Sequence, residues 1–185
     1  MNTIVRRPYW NHENEEAWLN EMAAKGLALT SYSWCKYVFA PCQPGEYIYR
    51  IELLDKLATH PESQAYLQFM QENGVEHVAS YMRWVYFRKK AAEGPFDIYT
   101  DLDSRIGHYQ RIKTLWTALA GMELVVGIPN VLMGTGLLFG SATNLYNTNL
   151  ILGTVCTALG LVFLSIALPL HQRIKQLKAD KLILE

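Results

Sequence analysis

Glu123 is the residue of this 185-residue chain whose chemistry most needs an account. It lies inside an apolar run, residues 115–139, LWTALAGMELVVGIPNVLMGTGLLF. An ionised carboxylate at the centre of a bilayer costs roughly 2.5–3.5 kcal/mol on insertion scales. It has two readings. One is a proton or cation site, with Asn130 one heptad on as partner and Pro129 freeing a backbone carbonyl nearby. The other is a protonated acid that holds two helices together. Two spans per chain form a pathway only when several chains assemble. Glu123, Gly127, Asn130 and Gly134 fall on one helical face. In a second apolar run, residues 150–170, Gly153, Thr157 and Gly160 do the same. Small residues let helices approach and polar ones bond across the contact. The two stripes therefore predict a packed helical hairpin, and Gly136 with Gly140 offers a further dimer contact.

Other groups invite chemistry and offer less. Trp18, Trp34 and Trp84, among many tyrosines, suit either an aromatic groove for a flat apolar ligand or the core of a small sheet. Cys35 and Cys42 stand on either side of an expected strand, which is not a zinc spacing. His12 with Glu13, Glu15 and Glu16 resembles a ligand cluster, but an acidic first helical turn explains it better. Arg88, Lys89 and Lys90 read as a contact for a partner or anionic headgroups, or as a solvated strand end. There is no phosphate loop, no GxGxxG and no HExxH. No enzyme activity, cofactor or metal is expected.

The distribution of charge sets the framework for these residues. Residues 1–114 hold 13 basic and 14 acidic residues, residues 115–172 hold Glu123 alone, and residues 173–185 hold 4 basic and 2 acidic. The balance argues against a nucleic-acid partner. Helices of 25 and 21 residues span ~37 and ~31 Å at ~1.5 Å per residue, against a hydrocarbon core of ~30 Å. Arg105, Arg111 and Lys113 precede the first run, and Arg173, Lys175, Lys178 and Lys181 follow the second. The loop between them, GSATNLYNTN, has none. The positive-inside rule then puts both termini in the cytoplasm. No N-terminal apolar run marks a signal peptide. The expected organisation is a cytoplasmic α+β domain (1–101), a connecting helix (102–114), a first membrane helix (115–139), an external loop (140–149), a second membrane helix (150–170) and a cytoplasmic tail (171–185).

The front portion repeats itself at an offset of 48 residues. Ala17-Trp18-Leu19 falls on Ala65-Tyr66-Leu67, Met22 on Met70, Gly26 on Gly74, and Tyr37-Val38-Phe39 on Val85-Tyr86-Phe87. Each copy reads as a helix stopped by glycine, then a hairpin of aromatic and β-branched residues. EYIYRIEL is a strand by alternation. The phase is βαββ twice if residues 3–9 form a strand, or αβββ twice with residues 96–100 as the last strand. Either gives an antiparallel sheet with helices on one face, followed by a two-helix transmembrane hairpin. A helix opened by Asp101 or Asp103 carries Ile106, Tyr109 and Ile112 into the first span as a stiff connection.

The runs EEAWLNEMAAKGLAL, EYIYRIE, ENGVEHVAS, WVYFRK, IYTD and SRIGHYQRIK resemble the DUF2812 family. Leu27 stands where members often carry Trp. The resemblance covers about residues 8–113 and the two spans in kind. It implies a bacterial membrane protein in a regulatory setting, and carries over no activity and no catalytic residues.

The leading expectation is a non-enzymatic, membrane-anchored regulatory or sensory module in the bacterial cytoplasmic membrane. Its partners would be the bilayer, a second copy of the chain, and a cytoplasmic protein or small apolar ligand held at Trp18, Trp34 and Trp84. The alternatives are an oligomeric transport or membrane-stress component using Glu123 and Asn130, and a scaffold subunit of a membrane complex.

Overall fold

A computed structural model of the chain describes residues 2–99, 101–136 and 146–184. The chain divides into two compact units, Met1–Thr100 and Asp101–Glu185.

In the first unit the order is β1 (Thr3–Arg6), α1 (His12–Ala24), β2 (Leu27–Ser33), β3 (Lys36–Pro41), β4 (Tyr47–Leu53), α2 (Pro61–Glu72), β5 (Glu76–Tyr81) and β6 (Trp84–Lys90). Asn11 caps α1, its Oδ1 accepting from the Glu13 amide at 2.7 Å. His60 caps α2 with Pro61 at the first helical position, where a missing N–H costs nothing. Both helices are followed by a glycine at φ +79°, Gly26 and Gly74, which turns the chain straight into a strand. Thr3–Arg6 is a strand and residues 95–99 are not, which decides the phase as β-α-β-β in each half.

The strands form two antiparallel three-stranded sheets, β1-β3-β2 and β4-β6-β5. This corrects the expectation of one sheet with helices on one face. Along β6, Val85 and Phe87 pack with Leu67 and Met70 of α2. Tyr86 between them joins Trp18, Leu19 and Met22 of α1. Alternate residues point to opposite faces, so the second sheet is covered on both sides. The physical signal is WVYF, a continuous apolar run where a one-sided strand would alternate.

The strands β2 and β5 lie side by side, yet among the described residues no backbone ladder joins them. Each carries a bulge, at Leu29/Ser31 and at His77/Ala79. On β2, the edge strand of its sheet, both backbone groups of Leu29 reach side chains of the second sheet. Its N–H donates to Tyr49 Oη at 2.8 Å, and its carbonyl accepts from Arg88 Nη1 at 3.2 Å. At the far edge, α1 completes β4. Asn20 Oδ1 accepts from the Tyr49 amide at 2.8 Å, its Nδ2 donates to the Tyr49 carbonyl at 3.2 Å, and Glu16 Oε2 accepts from the Ile51 amide at 3.0 Å. An edge strand is thereby sealed by helix side chains.

The second unit is an antiparallel pair, α3 (Leu102–Gly134) and α4 (Tyr146–Leu184), each long and apolar enough to cross a membrane. Asp101 caps α3 by accepting from the Ser104 amide at 2.7 Å. Near the charged end Ile106 and Tyr109 meet Ile174 and Leu177, and Lys181 pairs with Asp103 at 2.7 Å. Residues 137–139 of the first expected span, Gly140 of the GxxxG pair and residues 140–145 of the expected loop lie outside the described residues.

Candidate functional site

The site begins with the pattern along α1. Glu15 stands at helical spacing with Trp18, Leu19 and Met22, all buried. It is 8% exposed. Its Oε1 accepts hydrogen bonds from Tyr37 Oη at 2.6 Å and Tyr86 Oη at 2.7 Å. Tyr37 comes from β3 in the first sheet and Tyr86 from β6 in the second, so one carboxyl group joins the two sheets. The ring of Tyr32, on bulged β2, lies 4.8 Å from that of Tyr37 and 4.6 Å from that of Tyr86. Trp18 closes the other side, 4.8 Å from Tyr37 and edge-on to it. Tyr81 of β5 meets Tyr32 at 5.9 Å.

Burial pushes the Glu15 carboxyl above its ordinary value, and the bonds from Tyr37 and Tyr86 oppose this without cancelling it. Burial, reinforced by Glu15, raises the phenols of Tyr37 and Tyr86 far above theirs, so both stay protonated donors. Glu16 is a contrasting neighbour. Burial raises it too, but it has a cation, Arg50 Nη1, at 3.2 Å. The arrangement at Glu15 is a buried acid inside aromatic walls, where burial favours its neutral form.

The sequence reading assigned Glu13, Glu15 and Glu16 together to the dipole of a helix N-terminus. That holds for Glu13, which is exposed, whereas Glu15 and Glu16 turn inward. The missed signal is the spacing 15, 18, 19, 22, which places an acid on the apolar stripe.

The three tryptophans are not brought together. Trp18 belongs to the core, and Trp84 is half-buried against the same cluster, its ring 5.9 Å from that of His12. Trp34 is 73% exposed at the β2–β3 turn, where its ring meets Tyr81 at 5.9 Å. Trp18 also walls an open groove of ≈ 510 Å³ with Arg7, Tyr9, Trp10 and Glu21. Arg88 does not face outward as a partner contact. It forms a two-pronged pair with Glu76 at 2.8 and 2.7 Å and lies over the Tyr47 ring at 4.3 Å.

In the helical hairpin, Gly127 lies against Thr157 and Gly153 against Val131 and Asn130. Gly134 faces Leu150, and Gly160 faces Leu124. Glu123 of α3 lies near Cys156 of α4. Asn130 does not partner it, because its amide donates to the Val126 carbonyl one turn back at 2.8 Å. The Oγ1 of Thr157 is buried with no hydrogen bond among the described residues. Among the described residues no three His, Cys, Asp or Glu side chains gather to hold a metal ion.

The geometry defines an α+β domain of two three-stranded antiparallel sheets joined through a buried acid, followed in the chain by an apolar helical pair. The profile of the family described as "Protein of unknown function (DUF2812)" matches residues 11–120, more than half of the sequence, and the chain belongs to that family. No curated protein and no solved structure matches it.

Proposed function

We propose that the chain is a non-enzymatic, membrane-anchored regulatory module that binds a small ligand in the aromatic seam between its two sheets. The observation that carries the reading is Glu15, an acid buried where the seam is held by side chains and not by a ladder. Tyr32 and Tyr81 are half-buried there, so the seam opens by moving side chains without breaking a sheet. Trp18 and Trp84 border the same core, and Trp34 stands at its outer margin.

Several features support the rest of the reading. The most apolar 18-residue windows of α3 and α4 have mean hydropathies of 1.5 and 2.3 with 11% and 17% of their residues buried, so their apolar side chains face outward. A core helix of a soluble protein would bury them. Met122, Val125, Leu161 and Leu168 are examples, each more than half exposed. The flanking Arg and Lys residues favour cytoplasmic termini. Shared strand order, glycines at φ +79° and bulges 48 residues apart favour a duplicated βαββ unit.

The test uses the full chain in neutral detergent micelles and a panel of small aromatic compounds, read by tryptophan fluorescence. Saturable binding that weakens at least tenfold in Tyr32→Ala is expected. Binding by no compound, or binding indifferent to Tyr32→Ala, overturns the seam. Reporters fused at either end test the membrane arrangement, and one on the exterior overturns it.

A further inference from the structure

We infer that Glu15 is the counter-charge for an organic monocation, an aromatic or alkyl ammonium, bound between β2 and β5. This rests on the seam reading above and adds the charge of the ligand.

Three observations carry it. The first is the missing cation. Among the described residues Glu15 bonds to Tyr37 and Tyr86, both neutral phenols, through one oxygen, and no hydrogen bond reaches its Oε2. A carboxylate is rarely buried without a positive partner, and Glu16 next to it has Arg50. The second is the wall. The Tyr32 ring packs directly on those of Tyr37 and Tyr86, tilted 46° and 40° from them, so moving it aside bares two further rings beside Glu15. Ring faces attract ammonium groups, more strongly once water is excluded. The third is that the fold does not need the acid. The position 48 residues on, at the same place in α2, is Ser63, also buried, with Leu67 and Met70 where α1 has Leu19 and Met22. A helix of this kind packs on its sheet with a small neutral residue there.

The entering cation displaces the half-buried Tyr32 ring and lies against Tyr37 and Tyr86. Any proton that Glu15 holds passes to solvent as the cation enters, and the ion pair that remains is electrically balanced. The groups that face Glu15 are the phenols of Tyr9, Tyr32, Tyr37 and Tyr86. Burial raises the phenols of Tyr9, Tyr32, Tyr37 and Tyr86, so none of them competes with Glu15 as the negative charge.

The test compares phenyltrimethylammonium with tert-butylbenzene, which has the same shape and no charge. Both are titrated into the full chain in neutral detergent micelles and read by saturation-transfer NMR and tryptophan fluorescence. The unsubstituted protein is expected to bind the cation at least tenfold tighter than the neutral compound. Glu15→Gln, which keeps an oxygen for Tyr37 and Tyr86, is expected to bring the cation-to-neutral ratio down to about one. Equal binding of the two compounds, abolished by Tyr32→Ala, overturns the cation and leaves the seam. Saturable binding of neither, or binding indifferent to Tyr32→Ala, overturns both. If Glu15→Gln does not fold, the cation-to-neutral ratio in the unsubstituted protein decides the question, and a ratio near one overturns the inference.

Discussion

Replacing Glu15 by glutamine should change how stability depends on pH, and the sign follows from burial. The reference carboxyl has a pKa of 4.5, and in the folded chain Glu15 lies above it because burial disfavours the charge. Below 4.5 the acid is neutral in both states and adds no pH dependence. Between 4.5 and the raised value the folded chain holds a proton that the unfolded chain has released, so stability falls as pH rises. Above the raised value the loss is complete and constant. Inside the window the slope is about 1.4 kcal/mol per pH unit. For a domain of ~100 residues that is a shift of roughly 6–11 °C in Tm per pH unit. Glutamine keeps an acceptor for Tyr37 and Tyr86 and does not titrate. The variant should therefore gain on the unsubstituted chain as pH climbs above 4.5, with Glu16 and His12 common to both. Thermal unfolding of the two proteins in detergent between pH 4 and 8, followed by near-ultraviolet circular dichroism, measures the difference. A difference flat across that range, or one that grows in favour of glutamate as pH rises, would refute the reasoning.

Three further outcomes are expected. Gly153→Leu should force the helical pair apart, because its Cβ would sit 2.4 Å from the Val131 nitrogen and 2.9 Å from the Gly127 carbonyl oxygen, neither of which can yield. About 1–3 kcal/mol should be lost in a detergent unfolding assay, whereas Gly121→Leu, with nothing within 4 Å, should be silent. Asn20→Ala should cost about 1–3 kcal/mol by unpairing both backbone groups of Tyr49, and light scattering on heating should rise as the β4 edge opens. Glu123→Gln should leave protein level and hairpin stability within about 1 kcal/mol, since glutamine keeps the size and a polar carbonyl at that position, and full retention of cellular activity would remove the transport reading.

Much of the local structure could be read from the sequence. The end of α1 at Gly26, both hairpins, β4 and the start of α2 after His60-Pro61 follow from turn residues, caps and alternation, which act within a few residues. The split into two sheets did not follow. It depends on β2 and β5 meeting at bulges, and neither bulge leaves a mark in the residues around it. The partners of Glu15 were equally hidden. Tyr86 is 71 positions away, and no local rule selects it from 11 tyrosines. The inward turn of Glu15 was legible from helical spacing, but the acid-rich run masked it. Trp34 shows the converse limit. Its aromatic type suggested a lining residue, whereas its place at a two-residue turn leaves it outside.

The sealing of β4 by α1 makes the two halves of the front unit mutually obligate. Asn20 and Glu16 belong to the first βαββ segment, yet the backbone they satisfy belongs to the second. A chain severed between Pro41 and Tyr47 would yield one fragment with idle donors and acceptors on a helix and another with a raw strand margin. Neither is a domain in its own right. Whatever gave rise to the two segments, they can now vary only as a matched pair.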